Sequence, residues 1–295
     1  MEGSIAPPNG IIGTATLPAG LRGDYAHALE DGTLPAEAIR RTEADHATWR
    51  TLVARQRALF PGRAADAWLK GLDRLRCDYA VPDLDQASDI LEDAAGWRLV
   101  PCPGLLPDGQ FFDLLARRRF PVTSWIRRPD ELDYVVEPDI FHDFLGHVPL
   151  LTDPAYARFL EAYGRLGQKA AARGLLTPLA RFYWFMVEFG LIEQADDGSG
   201  SAAPGLRAYG AGIMSSRAEL LHAVDGDPAR LRFDAFRVMR SEYRIDDLQP
   251  AYFVIRDYAE LFEAIATAPA LLDVANAATP IPPGGSHPQD EPWRT

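Results

Sequence analysis

The sequence predicts a mainly α-helical single domain with a minor β component. Helix-period apolar patterning recurs through most of the chain, only two short runs read as strands, and no linker or composition break divides residues 23–271. The 295 residues are 47% apolar and 24% charged, an ordinary globular balance with enough chain to bury a core. Residues 1–22 are rich in Gly and Pro without periodicity and are expected to form a flexible arm. Residues 272–295 are expected to be a Pro-rich tail, disordered over TPIPPGGSHPQDEPWRT.

Between these ends the elements follow in order. Residues 36–59 alternate charged and apolar positions at helical spacing, with Trp49, Leu52 and Val53 on one side. Residues 64–75 and 84–95 read as two more amphipathic helices. After the turn-rich VPCPGLLPDG comes a helix over 108–118, then a strand over 120–126 (FPVTSWI). A helix over 140–146 is bounded by Glu137-Pro138 before it and Pro149 after it. Helices over 154–172 and 179–194 follow, then a short Gly-punctuated segment over 206–213. Helices over 234–239 and 258–266 flank a strand over 252–255 (YFVI). No βαβ rhythm is expected.

Composition excludes several classes of function. With 30 basic and 42 acidic side chains the formal charge is −12, which argues against nucleic-acid or anionic-membrane partners. No apolar run approaches the roughly 18 residues of a membrane span, and the N-terminus lacks the basic start and apolar core of a secretory signal. Only Cys77 and Cys102 occur, so a disulfide scaffold and a Cys-rich zinc site are excluded and a cytoplasmic setting is expected. GxGxxG, GxxxxGK[ST] and GxSxG are absent.

The chemistry concentrates in two segments. EPDIFHDFLGHVP holds His142 and His147. Residues five apart on an ideal α-helix are rotated about 140° from each other. His147 is therefore expected at or just past the helix end, where Gly146 and Pro149 allow a turn to bring its imidazole back. The plain alternative is one core histidine and one surface histidine. In FYWFMVEFGLI, Glu188 sits inside a helix that is apolar all round and so should be buried. A buried carboxylate must be protonated, paired or bound to a cation. An ion pair with Arg181 or Arg127 is one solution. The other joins Glu188 to the histidines as the two-imidazole, one-carboxylate set that suits non-haem Fe(II). Zinc takes the same ligands, with Asp143 available as a general base, so spacing alone leaves iron and zinc open.

EPDIFHDFLGHVPLLTDPAYARF, RFYWFMVEFGLIE and LRAYGAGIMSSRAEL, in this order, resemble the pterin-dependent aromatic amino acid hydroxylases, bacterial members most of all. The resemblance runs from about Asp24 to Leu271 and includes HATWRTLVARQ and RIDDLQPAYFVI. It implies that type of catalytic domain, with Fe(II) and tetrahydrobiopterin or a related tetrahydropterin as cofactors. The implied reaction converts L-phenylalanine, O2 and tetrahydropterin to L-tyrosine and a 4a-hydroxypterin. Tyrosine or tryptophan hydroxylation within the family, and a zinc hydrolase from outside it, are the alternatives.

Roles carry over by position. His142, His147 and Glu188 match the iron ligands. Arg127 matches the arginine that holds the amino-acid carboxylate, a job suited to a guanidinium fork. Trp184 matches the tryptophan against which the substrate ring packs, Ser215 a substrate-pocket serine and Pro138 a pocket wall. Gly210 and Gly212 allow close backbone approach there. Phe111 matches the residue stacking on the pterin, Gly104 and Leu106 positions whose backbone faces it, and Tyr183 an aromatic nearby. Asp143 stands where animal members carry glutamate, near the pterin and the iron-bound water. Val135-Val136 replaces the animal Thr-Pro, so a threonine contact to substrate does not transfer. The length leaves no room for the animal regulatory domain, and the Pro-rich tail cannot form a tetramerisation helix, so a monomer is expected.

Overall fold

The computed structural model describes residues 21–35, 39–133, 135, 137–194 and 205–293. Most of the expected arm, together with Val136, lies outside the described residues. The first helix, α1 (Glu43–Arg57), starts later than its periodicity suggests. The Thr42 hydroxyl accepts from the Asp45 N–H while the Asp45 carboxylate accepts from the Thr42 N–H, a reciprocal cap that fixes the start. Helices α2 (Asp66–Leu75) and α3 (Leu84–Ala95) follow. Asp83 caps the start of α3, and Gly96, at φ 74°, closes its end in the left-handed region.

A feature the patterning did not anticipate comes next. β1 (Arg98–Cys102), α4 (Asp108–Ala116) and β2 (Arg119–Thr123) form a βαβ unit, with β1 parallel to β2 and Leu99 opposite Phe120. β1 is five residues long and contains Pro101, so it shows no alternation to read.

A four-stranded sheet forms from β3 (Leu191–Gln194), β4 (Gly205–Ala208), β5 (Ala229–Arg232) and β6 (Ala251–Ile255), in the order β4-β3-β6-β5. β6 is buried along its whole length, which is why it reads as a continuous apolar run. The expected helix over 179–194 is divided. α6 (Leu176–Tyr183) leads into a π-helical turn and then into β3. The segment over 206–213 likewise splits into β4 and the short α7 (Ala211–Met214). α8 (Arg217–Asp225) was not foreseen, and α9 (Ala235–Arg240) matches expectation. The core packs α5 (Pro154–Ala171) against α4 and the long α10 (Tyr258–Ala277), with Phe112, Tyr156, Phe159 and Tyr163 fully buried.

The Pro-rich end is ordered rather than loose. Ile281 donates to the Arg240 carbonyl and accepts from the Glu242 N–H, both at 2.8 Å. Farther on, the Arg232 N–H donates to the Glu291 carbonyl and the Trp293 N–H to the Arg230 carbonyl. Leu231 thereby pairs antiparallel with Pro292, and the tail covers the free edge of β5. Proline is compatible with such an outer position because its missing N–H is not called on.

A buried metal centre between two cavities

Two π-helical turns carry the ligands: Phe141–His147 and Trp184–Glu188. A π-helix bonds residue i to i+5, so positions five apart approach one face. This resolves the spacing problem of His142 and His147. The wider winding aligns them, not a turn beyond a helix end, and their ring centroids stand 5.2 Å apart. The Trp68 indole donates to the Gly146 carbonyl at 3.1 Å, tying the first turn to α2. Gly146 also lets α7 sit close, since a Cβ there would lie 2.8 Å from the Ala211 carbonyl oxygen.

Candidate ligand atoms of His142, His147 and Glu188 lie within 4.8 Å of one another, all buried. Glu188 Oε1 is 3.2 Å from His147 Nε2, and its Oε2 is 3.4 Å from His142 Nε2. Yet His142 Nε2 and Glu188 Oε1 make no hydrogen bond. Buried polar atoms that converge without bonding one another fit a shared cation. Burial would raise the Glu188 pKa, but the two imidazoles outweigh it and lower it to about 2. Neither proposed arginine pairs with Glu188: Arg127 binds Asp139, and Arg181 lies 3.5 Å from Glu242.

Ser215 lines the larger cavity, as expected of a pocket serine, and also supports His142. Its hydroxyl donates to the Ala211 carbonyl at 2.8 Å and so accepts from His142 Nδ1 at 2.9 Å. That fixes the proton on Nδ1 and leaves Nε2 with its lone pair free for a metal. Ser215 therefore touches both the cavity and the ligand turn.

That cavity holds about 380 Å³, and its lining includes Arg127, Pro138, His142, Trp184, Glu188 and Gly212. Arg127 is buried and donates from N, Nε and Nη2 to the Asp139 carboxylate at 2.8–2.9 Å, and among the described residues Nη1 has no hydrogen-bond partner. Burial would raise the Asp139 pKa, but the Arg127 charge and hydrogen bonds outweigh it and hold it below the ordinary value. The same carboxylate accepts from the His142 N–H at 3.1 Å, linking Arg127 to the ligand turn. Asp139 was missed in the sequence, because its partner Arg127 lies 12 positions away. Gly210 and Gly212 do allow close approach: a Cβ at Gly210 would lie 2.4 Å from the Glu188 carbonyl oxygen.

A second cavity reaches the centre from the His147 side. Gly104, Leu106, Phe111, Asp143 and Tyr183 line it, joined by Cys102 and Phe120, which sequence reasoning did not select. All the residues expected near a pterin are therefore together. The Phe111 and Tyr183 rings stand edge to face, 5.6 Å apart. Asp143 accepts from the Thr123 N–H at 2.7 Å, and burial raises its pKa against the opposing pull of the imidazoles. The cavity measures about 20 Å³, room for one water. Its lining suits a bicyclic ring in kind but not in volume, so ring entry requires these side chains, or Tyr25 packed against Gly104, to move.

Comparisons with known proteins agree with this geometry. The profile of the family described as biopterin-dependent aromatic amino acid hydroxylase matches residues 24–271. Phenylalanine-4-hydroxylase from Chromobacterium violaceum is 49% identical over 256 residues, covering 85% of this chain and 84% of the relative. The Caulobacter vibrioides phenylalanine-4-hydroxylase is 47% identical over 239 residues, 77% and 79% of the two chains. The crystal structure of the C. violaceum enzyme with iron and phenylalanine bound superposes with a TM-score of 0.82 at 46% identity, covering 90% and 96% of the two chains. A cobalt-bound structure of that enzyme gives a TM-score of 0.84 at 47% identity, covering 90% and 95%. The chain belongs to the biopterin-dependent aromatic amino acid hydroxylases.

Proposed function

We propose that this chain is a phenylalanine 4-monooxygenase, converting L-phenylalanine, O2 and a tetrahydropterin to L-tyrosine and a 4a-hydroxypterin. The observation that carries the reading is the buried triad placed between two cavities. His142 and Glu188 line the larger one, which holds Arg127 and Trp184, and His147 lines the smaller one, which holds Phe111 and Tyr183. In this reading His142, His147 and Glu188 hold Fe(II), and three protein ligands leave positions open on the metal. When bound, the iron and the reduced pterin supply the oxygen activation, with two electrons coming from the pterin.

The remaining work belongs to the chain's own groups. Arg127 takes the amino-acid carboxylate through Nη1, the edge that Asp139 leaves free. Trp184 and Pro138 form the wall for the aromatic ring, with Gly212 giving it room. Phe111 and Tyr183 present ring faces and edges to the pterin, and the backbone of Gly104 and Leu106 borders it. Asp143, anchored by the Thr123 N–H, places a carboxyl beside His147 to orient water or pterin N–H groups. Burial of His147 and Glu188 limits the access of bulk water to the reacting atoms.

The reading extends to a cytoplasmic monomer. Free, buried Cys77 and Cys102 support it, as do large exposed apolar residues that are few among the described residues. No helix among the described residues is long and apolar enough to cross a membrane. The deciding experiment loads the protein anaerobically with Fe(II), adds phenylalanine and tetrahydropterin, admits air, and measures tyrosine by chromatography. Tyrosine in proportion to pterin consumed is expected; no conversion of phenylalanine overturns the assignment.

A further inference from the structure

The wall of the larger cavity contains a loop, residues 243–249, that contributes Ile245, Asp246, Asp247, Leu248 and Gln249. Among the described residues no backbone-to-backbone hydrogen bond holds positions 243–248 in place. Asp246, Asp247 and Leu248 are exposed, whereas Gln249 is buried. A loop without a ladder needs another restraint, and the Gln249 side chain supplies one.

Each hydrogen-bonding group of Gln249 is occupied. Its Nε2 donates to the Arg244 carbonyl at 2.7 Å and the Asp247 carbonyl at 3.3 Å. Its Oε1 accepts from the Trp184 indole N–H at 2.9 Å. Its backbone N–H donates to Glu219 Oε1 at 3.2 Å, and its carbonyl accepts from His222 Nε2 at 3.0 Å. At the other end of the loop, Tyr243 stacks on the same indole, with centroids 4.3 Å apart and planes 13° from parallel. Both ends of the loop therefore grip Trp184, one by a ring face and one by an amide.

We propose that Gln249 is a positioning residue for amino-acid binding. Its amide fixes the 243–249 loop to Trp184 and so sets the shape of the wall that receives the aromatic side chain. This rests on the phenylalanine-hydroxylase reading above and adds a determinant to its substrate pocket. A glutamine that merely fills space would stabilise the fold without favouring one substrate over the other. A positioning residue acts on the amino acid and leaves the pterin side untouched, because no residue of the loop lines the second cavity.

The test compares Gln249→Leu, Gln249→Glu, Trp184→Phe and the Gln249→Leu/Trp184→Phe double variant in the iron-loaded enzyme. Phenylalanine affinity is read by anaerobic calorimetry, and both KM values and the tyrosine formed per pterin oxidised by steady-state assay. Gln249→Leu removes the indole's acceptor and both loop donors, and should raise the phenylalanine Kd and KM about tenfold. The pterin KM should stay within about twofold, and less tyrosine should form per pterin. Gln249→Glu keeps the acceptor and loses the donors, so its effect should be intermediate. In the double variant the losses should not multiply, because both substitutions remove the same bond. Multiplicative losses, a parallel rise in the pterin KM, or normal phenylalanine binding in Gln249→Leu would overturn the proposal. Should Gln249→Leu not fold, Gln249→Glu alone decides it: a raised phenylalanine Kd with an unchanged pterin KM supports the proposal, and normal phenylalanine binding or a parallel rise in the pterin KM overturns it. A wild-type enzyme that forms no tyrosine instead sinks the functional reading itself, which keeps the two failures apart.

Discussion

At the scale of single residues, Glu188 shows how much a sequence can reveal. One carboxylate inside an apolar stretch requires a partner, and of the alternatives a shared cation with His142 and His147 is the one the geometry favours. Glu188→Ala should lower iron affinity by more than about 100-fold, since loss of an outer partner alone costs up to that much, and should abolish tyrosine formation. Iron titration and product analysis check both. Arg127 makes a second case. Lysine keeps the charge and the backbone donation but cannot reproduce two side-chain donations to Asp139 together with an Nη1 edge turned away from it. Arg127→Lys should raise the phenylalanine KM about tenfold or more, the worth of a charge-assisted hydrogen bond; an unchanged KM removes Arg127 from the substrate site. Asp139 and Gln249 escaped notice in the sequence for a physical reason. Their importance lies in partners 12 and 65 positions away, which no local pattern reports.

At the scale of elements, the π-helical turns matter most. Periodicity located helices over both ligand segments but assumed 3.6 residues per turn, and on that winding His142 and His147 diverge. Interior helices such as α3 were legible to the residue, because Asp83 and Gly96 mark its ends chemically. A change from α to π winding carries no such punctuation. Nor does a change from helix to strand inside one apolar run, as between Glu188 and Leu191. The first π turn depends on close packing at Gly146, where a Cβ would meet the Ala211 carbonyl oxygen, Cβ and Cα at 2.8–3.0 Å. Gly146→Ala should therefore push α7 away and shift both His147 and the Ser215 support of His142. A stability loss of about 1–3 kcal/mol is expected from the overlap. Calorimetric melting should show it, together with weaker iron binding. Weaker melting with undiminished iron affinity would show that the turn tolerates displacement of α7.

At the scale of the whole molecule, the proline-rich tail closes the structure. Its composition suggested disorder because nothing in it is periodic; its contacts are long-range and therefore invisible to local reading. Arg237, buried beneath it, donates to Asp290, to the Gly285 carbonyl and to Ser241, while Ile281 and Trp293 are buried against the body. The tail strand at Ile281 pairs with residues 240–242, immediately before Tyr243, so the tail also steadies the base of the loop that grips Trp184. Burial opposes ionisation of Asp290, but the hydrogen bonds from Arg237 and the His287 N–H, with the Arg237 charge, outweigh it and hold its pKa below the ordinary 3.8. A depressed carboxyl pKa means that folding favours the ionised form. Its contribution is then fully present above pH 3.8 and is lost as the pH falls through the lower, folded-state value. Asp290→Asn should accordingly melt below the wild type by a constant margin between pH 5 and 8. That margin should close below pH 3.8, where the wild-type carboxylate is itself being protonated. Melting curves for both proteins across this range test the ion pair directly. A margin that persists unchanged to the acid limit would assign the tail's anchorage to Ile281 and Trp293 instead of to charge.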